Sequence, residues 1–188
     1  MYRKTRRTQS GLTLIELIVF IVIVSVGLAG ILLTYDTVVR SSADPMVRKQ
    51  ALAIAESLLL EIEQQPFTWC DPQDGNVTTA TSAAECATNN QSSLAGPTPA
   101  TETRGSAADP FDNVADYAGY TATASDIVGT STLAGYTVTV VVTDAGGAAP
   151  FGPIPAGAML RIAVTVVGHG ETVTLVGYRA RYAPNAAG

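Results

Sequence analysis

Apolar residues fall along this chain in three different rhythms. From Leu12 to Leu33 they are almost unbroken, with polar side chains only at Thr13, Glu16 and Ser25. At about 1.5 Å per residue, a helix of that length crosses the roughly 30 Å hydrocarbon core of a membrane. A second rhythm follows: Val47, Ala51, Ile54, Leu58 and Ile62 recur every three or four residues, one face of an amphipathic helix that Pro66 ends. Asp44 reads as the N-cap of that segment and Pro45 as its first helical residue. The two stretches, 12–33 and 34–66, are expected to form one long rod, bent or melted near residues 41–45.

The third rhythm has period two. "GYTVTVVVTD" puts Tyr136, Val138, Val140 and Val142 on one face and Thr137, Thr139 and Thr143 on the other. "MLRIAVTVVG" aligns Leu160, Ile162, Val164 and Val166, and "ETVTLVGYRARY" aligns Val173, Leu175 and Gly177. "GHG" at 168–170 is a hairpin turn between those two runs. Tyr120 to Ala124 adds an earlier strand, and "AGGAAPFGPIPAGA" is a Pro/Gly-rich connection bulging from the sheet. Residues 67–119 lack both rhythms; within them 71–110 are rich in Ser, Thr, Ala, Asn and Pro, and read as loop. The fold class is α+β, with the Val47 to Ile62 face covering the apolar side of an antiparallel sheet over 120–188.

Charge sharpens this picture. The formal net charge is −5, but Arg3, Lys4, Arg6 and Arg7 crowd the first eleven residues. Without them the chain carries seven basic and sixteen acidic side chains, a charge of −9. Such a body has no electrostatic attraction for nucleic acid. The basic cluster ahead of the apolar run predicts a cytoplasmic N-terminus with the remainder outside the inner membrane. A cleaved export signal would have a shorter apolar run and a small-residue cut just after it. In "SVGLAGILLTYD" apolar residues continue past Gly27, Ala29 and Gly30, which favours a retained anchor.

Glu16 is the only charge between Arg7 and Asp36. A carboxylate in hydrocarbon costs about 3 kcal/mol even on lenient insertion scales, so a partner is required. A cut between Gly11 and Leu12 would create an amine four positions before Glu16, on the same helical face. In an assembly, a neighbour shifted along the axis could offer its amine instead, which makes the pair a register device. "SGLTLIELIVFIVIVSVGLAG", preceded by basic residues, resembles the prepilin N-terminus of type IV pilins and type II secretion pseudopilins. The resemblance implies a leader peptide over 1–11, cut by a prepilin peptidase after Gly11. It also implies N-methylation of Leu12, which stands where phenylalanine is usual, and an assembly role for Glu16. Implied partners are other pilin subunits through the N-terminal helix, the peptidase, the inner membrane and the pilus assembly platform. Three further segments, "DPMVRKQALAIAESLLLEIEQQPFTWCDP", "ETRGSAADPFDNV" and "FDNVADYAGY", resemble minor pilins of the mannose-sensitive haemagglutinin pilus.

The remaining candidates are weaker. Cys70 and Cys86, the only cysteines, lie in the exported part without CxxC or Cys/His spacing, so a disulfide is favoured over a metal site or free thiols. "DPQDGN" at 71–76 has oxygen ligands near a glycine but not EF-hand spacing, and reads as a turn. Asp112, Asp116, Tyr117 and Tyr120 suit a capped turn with tyrosines against the sheet edge better than a surface site. His169 is read as a turn residue, and Glu56, Glu61 and Glu63 as the solvated side of a helix. No catalytic constellation, metal or cofactor is assigned. The expected function is structural, a minor pilin that enters or initiates a filament; a pseudopilin of a secretion machine and a tip-exposed adhesin are the alternatives.

Overall fold

The computed structural model describes residues 11, 13–126 and 131–186. The chain divides into two compact units, Met1–Pro45 and Met46–Gly188. Helix α1, Leu14–Gln64, contributes its first part to one and its last part to the other.

In the first unit, residues 14–36 are apolar on all sides, with a mean hydropathy of 2.9 and none of the stretch buried. A helix greasy all round needs either lipid or other helices as its environment. Two of its polar side chains satisfy themselves: Ser25 Oγ donates to the Ile21 carbonyl at 2.7 Å and Thr34 Oγ1 to the Gly30 carbonyl at 2.9 Å. Pro45 lies inside α1, not at a helix start, so the expected N-cap at Asp44 and the expected melting near residues 41–45 are not observed. A proline removes one i to i−4 hydrogen bond; helical residues on both sides carry the backbone through that gap.

The second unit is a helix on a sheet. Ala51, Ala55, Leu58 and Ile62 are buried, with Ile54 and Val47 packed at the margin of the same core. Strands β1 (Thr121–Ser125), β2 (Thr132–Asp144), β3 (Met159–Gly168) and β4 (Glu171–Ala180) form an antiparallel meander in sequence order. The register pairs Val140 with Val164 and Val164 with Leu175, so the predicted inward residues of neighbouring strands stack in rows. Tyr136, Val138, Val140, Val142, Leu160, Ile162, Val164 and Val166 are all buried. Each such side chain contributes about 1.5–3 kcal/mol of gross burial, which is why one face of each strand is apolar; on β3 the small Ala163 is buried as well.

Helix and sheet approach closely at Gly177, where an added Cβ would run into the Glu63 carboxylate and come within 3.0 Å of a Leu59 methyl. The β3–β4 hairpin turns on His169 (φ 51°) and Gly170 (φ 86°), a two-residue loop with both residues left-handed, the twist that antiparallel strands favour. His169 stacks edge-on against Tyr136 at 5.0 Å, a packing role.

Residues 65–120 contain two short 3₁₀ turns, η1 (Ala83–Glu85) and η2 (Val114–Tyr117), and otherwise irregular chain. Side chains hold this region in place. Asn113 and Asp116 cap η2 reciprocally, and Phe111, Tyr117 and Tyr120 pack edge-to-face at 5.0 to 6.4 Å. The capped turn is present, with Asn113 as its N-cap.

Candidate functional site

At the start of α1, Thr13 closes the first turn. Its hydroxyl accepts from the Glu16 N–H at 3.4 Å, and its carbonyl accepts from the Leu17 N–H at 3.2 Å. "TLIE" has the Thr-x-x-Glu spacing of a capping box, of which the structure shows the half made by the Thr13 hydroxyl. Glu16 therefore stands in the first helical turn, exposed, where a negative charge also complements the helix dipole. Gly11 is exposed, with nothing within 4 Å of where a Cβ would stand. Leu12, on the other side of the expected cut, lies outside the described residues.

In the loop region, Cys70 and Cys86 form a disulfide with a Cα–Cα distance of 5.4 Å. Cys70, Val77 and Ala80 bury together beneath it, and a lone bridge pairs Cys70 with Asn90. Asp74 is the organiser of this lobe. Its Oδ1 accepts from the N–H groups of Asn76 and Ala87, and its Oδ2 from the N–H groups of Thr88 and Asn89 and the Thr88 hydroxyl, all at 2.7–3.1 Å. Burial alone would push this carboxyl up, but four backbone donors overcome that and hold it well below the usual carboxylate range.

Glu61 is not on a solvated face, as periodicity suggested. Its carboxylate accepts from Arg104 Nε at 2.7 Å and Nη2 at 2.6 Å and from the Tyr117 hydroxyl at 2.8 Å. Arg104 Nη1 donates onward to the Ser125 hydroxyl at 3.2 Å and the Asp126 carbonyl at 3.1 Å. The helix, the loop, η2 and the end of β1 thus meet at one charge pair. Burial works against the Arg104 charge, yet the Glu61 partner holds its guanidinium above its ordinary range. A second cation, Arg181, lies over the rings of Phe67 and Trp69, 4.0 and 3.7 Å from their centres, and burial lowers it to about 10.

A third group is wholly acidic. Asp71, Glu102 and Asp112 each bring one carboxylate oxygen to within 4.8 Å of the others. Burial raises all three carboxyls. Glu102 is pushed up to about 9, with the charges of Asp116 and Asp112 adding to burial, and Asp112 to about 6. Sequence reading of residues 71–76 in isolation could not find this group, because its members come from three separate stretches of loop.

Among the described residues, two features thus call for something outside the chain: a greasy N-terminal helix with a carboxylate in its first turn, and the acidic trio. Comparison with known proteins bears on the first. No curated protein and no solved structure matches the chain. The family model of the prokaryotic N-terminal methylation motif matches residues 6–32, the span that holds Gly11, Leu12, Glu16 and nearly all of the apolar run. The N-terminus is that of a type IV prepilin-like protein.

Proposed function

We propose that this chain is a minor pilin of a type IV pilus of the mannose-sensitive haemagglutinin kind, similar to MshD, a structural component of filament assembly or initiation. In this reading it supports surface attachment indirectly. It begins as a single-pass inner-membrane protein with its N-terminus cytoplasmic and its sheet domain periplasmic. A prepilin peptidase cuts after Gly11, Leu12 is methylated, and the subunit passes into the pilus at the cell surface.

The observation that carries the reading is the apolar stretch Leu14–Asp36, none of it buried, with a lone carboxylate in its first turn. Leu14, Ile15, Phe20, Ile23, Val26 and Leu33 are each more than 60% exposed in the isolated chain. Once the subunit has left the membrane, packing them among neighbouring helices is what keeps them from water and holds the filament together. Glu16 then sets the offset. An ammonium about 4 Å away attracts a carboxylate by about 4 kcal/mol at an effective dielectric near 20. That offsets the approximately 3 kcal/mol insertion cost.

Glu16→Ala tests the proposal. The variant should remain in the membrane fraction and be missing from sheared filaments; normal incorporation would defeat the mechanism. Deletion of the chain separates the pilus from a secretion pseudopilus. The proposal expects the protein in extracellular fibres, whereas a pseudopilin would reveal itself by loss of enzyme secretion.

A further inference from the structure

We propose that Asp71, Glu102 and Asp112 form a calcium-binding site that ties three stretches of the loop region together. The three residues whose oxygens converge within 4.8 Å are also three whose carboxylates keep a buried oxygen with no hydrogen-bond partner among the described residues: Asp71 Oδ2, Glu102 Oε2 and Asp112 Oδ1. Asp71 is 1% and Glu102 3% exposed. Buried carboxylate oxygens are ordinarily hydrogen-bonded, and each one left bare costs free energy. Three orphans at one point indicate a missing positive partner.

Among the described residues no cation is paired with them. The charges bearing on these carboxyls are those of Asp74, Asp109 and Asp116, all negative. Other atoms of the trio are already committed, which fixes its orientation. Asp71 Oδ1 accepts from the Gln73 N–H at 2.8 Å, and Asp112 Oδ2 from Gln73 Nε2 at 2.5 Å. The backbones are held as well: the Asp71 N–H donates to the Asn89 carbonyl, the Glu102 N–H to the Pro99 carbonyl, and the Asp112 N–H to Asp116 Oδ2. Such an arrangement costs little to organise when a cation arrives.

The donor set selects the ion. The trio offers carboxylate oxygens, which suit hard cations rather than zinc or copper. Calcium takes many oxygens at about 2.3–2.6 Å in flexible geometry, so opposite ligands stand about 5 Å apart, the scale of this cluster. Magnesium keeps several waters and is usually held through one or two carboxylates. A proton shared between Asp71 and Glu102 would relieve only one negative charge; calcium relieves two and satisfies oxygens on all three residues. This inference does not depend on the pilus reading.

The test uses the full chain in detergent micelles, stripped with EDTA and titrated with calcium chloride by calorimetry. One site with a dissociation constant below about 1 mM is expected, together with a rise in melting temperature. Magnesium should bind at least about tenfold more weakly. Glu102→Gln and Asp112→Asn should each weaken calcium binding at least about tenfold, while Asp109→Asn, outside the trio, should leave it within about threefold. In EDTA the first two variants should melt no lower than the parent, because each replaces by a neutral amide a buried carboxyl whose ionised form burial and the neighbouring acids already disfavour; lost binding then cannot be lost folding. No calcium heat from the parent at millimolar ion would overturn the site in favour of a shared proton alone. Unchanged binding in both trio variants, or magnesium binding as tightly as calcium, would overturn it equally.

Discussion

Removing the Glu61 carboxylate should cost the sheet domain several kcal/mol. The side chains of Arg104 and Glu61 are only 9% and 12% exposed, and Tyr117 is 1% exposed. In Glu61→Ala the guanidinium loses both of its short bonds and the Tyr117 hydroxyl loses its acceptor. Breaking a buried pair from one side costs about 3–5 kcal/mol. Arg104 keeps its bonds to Ser125 and Asp126, which places this pair at the lower end. The orphaned hydroxyl adds about 1 kcal/mol. A total near 4 kcal/mol corresponds to a melting temperature lower by roughly 10 °C for a chain of this size. Urea unfolding of the full chain in mild detergent, followed by Trp69 fluorescence, measures it. The double variant Glu61→Ala/Arg104→Ala should lose distinctly less than the two single losses added together, because the partners share one interaction. A single-variant loss under about 1 kcal/mol, or strict additivity in the cycle, would falsify the view that this pair joins helix, loop and strand.

Two further outcomes follow from the loop region. Replacing Cys70 and Cys86 together by serine should lower stability by about 3 kcal/mol, the loop-closure value for a separation of 16 residues; an unchanged urea midpoint would show that Asp74 and its donors hold the lobe unaided. Asp74 itself gives a pH signature. Its folded pKa is depressed, so its contribution is complete above the ordinary aspartate range and is lost as pH falls through the lower folded value. Asp74→Asn should therefore be less stable than the parent at neutral pH, and the gap between them should narrow on acidification below about pH 4. A gap that widens in acid would contradict the assigned hydrogen bonds.

The parts legible in the sequence are those where one periodicity decides burial. Alternation in "GYTVTVVVTD" and "MLRIAVTVVG" placed eight inward residues correctly, because one face of each strand packs on the helix and a slip by one would expose the whole set. "GHG" identified the hairpin because both loop positions require positive φ. The helix face was visible too, and Ala55, one turn beyond Ala51, belongs to it as well. What stayed hidden depends on partners distant in sequence. Glu61 looks solvated on a helical wheel, and only the return of the chain at Arg104 and Tyr117 buries it. The same holds for Asp71, whose neighbours Glu102 and Asp112 arrive from later loops. Pro45 misled for a different reason: a proline that starts helices well can also be carried inside a long one.

Whether the N-terminal helix is retained after cleavage at Gly11 is tested most directly by the intact mass of the membrane-extracted protein. The predicted species begins at Leu12, carries one added methyl group and lacks two hydrogens for the Cys70–Cys86 bond. A mass corresponding to a chain that begins beyond Leu33 would remove the assembly helix and contradict the account.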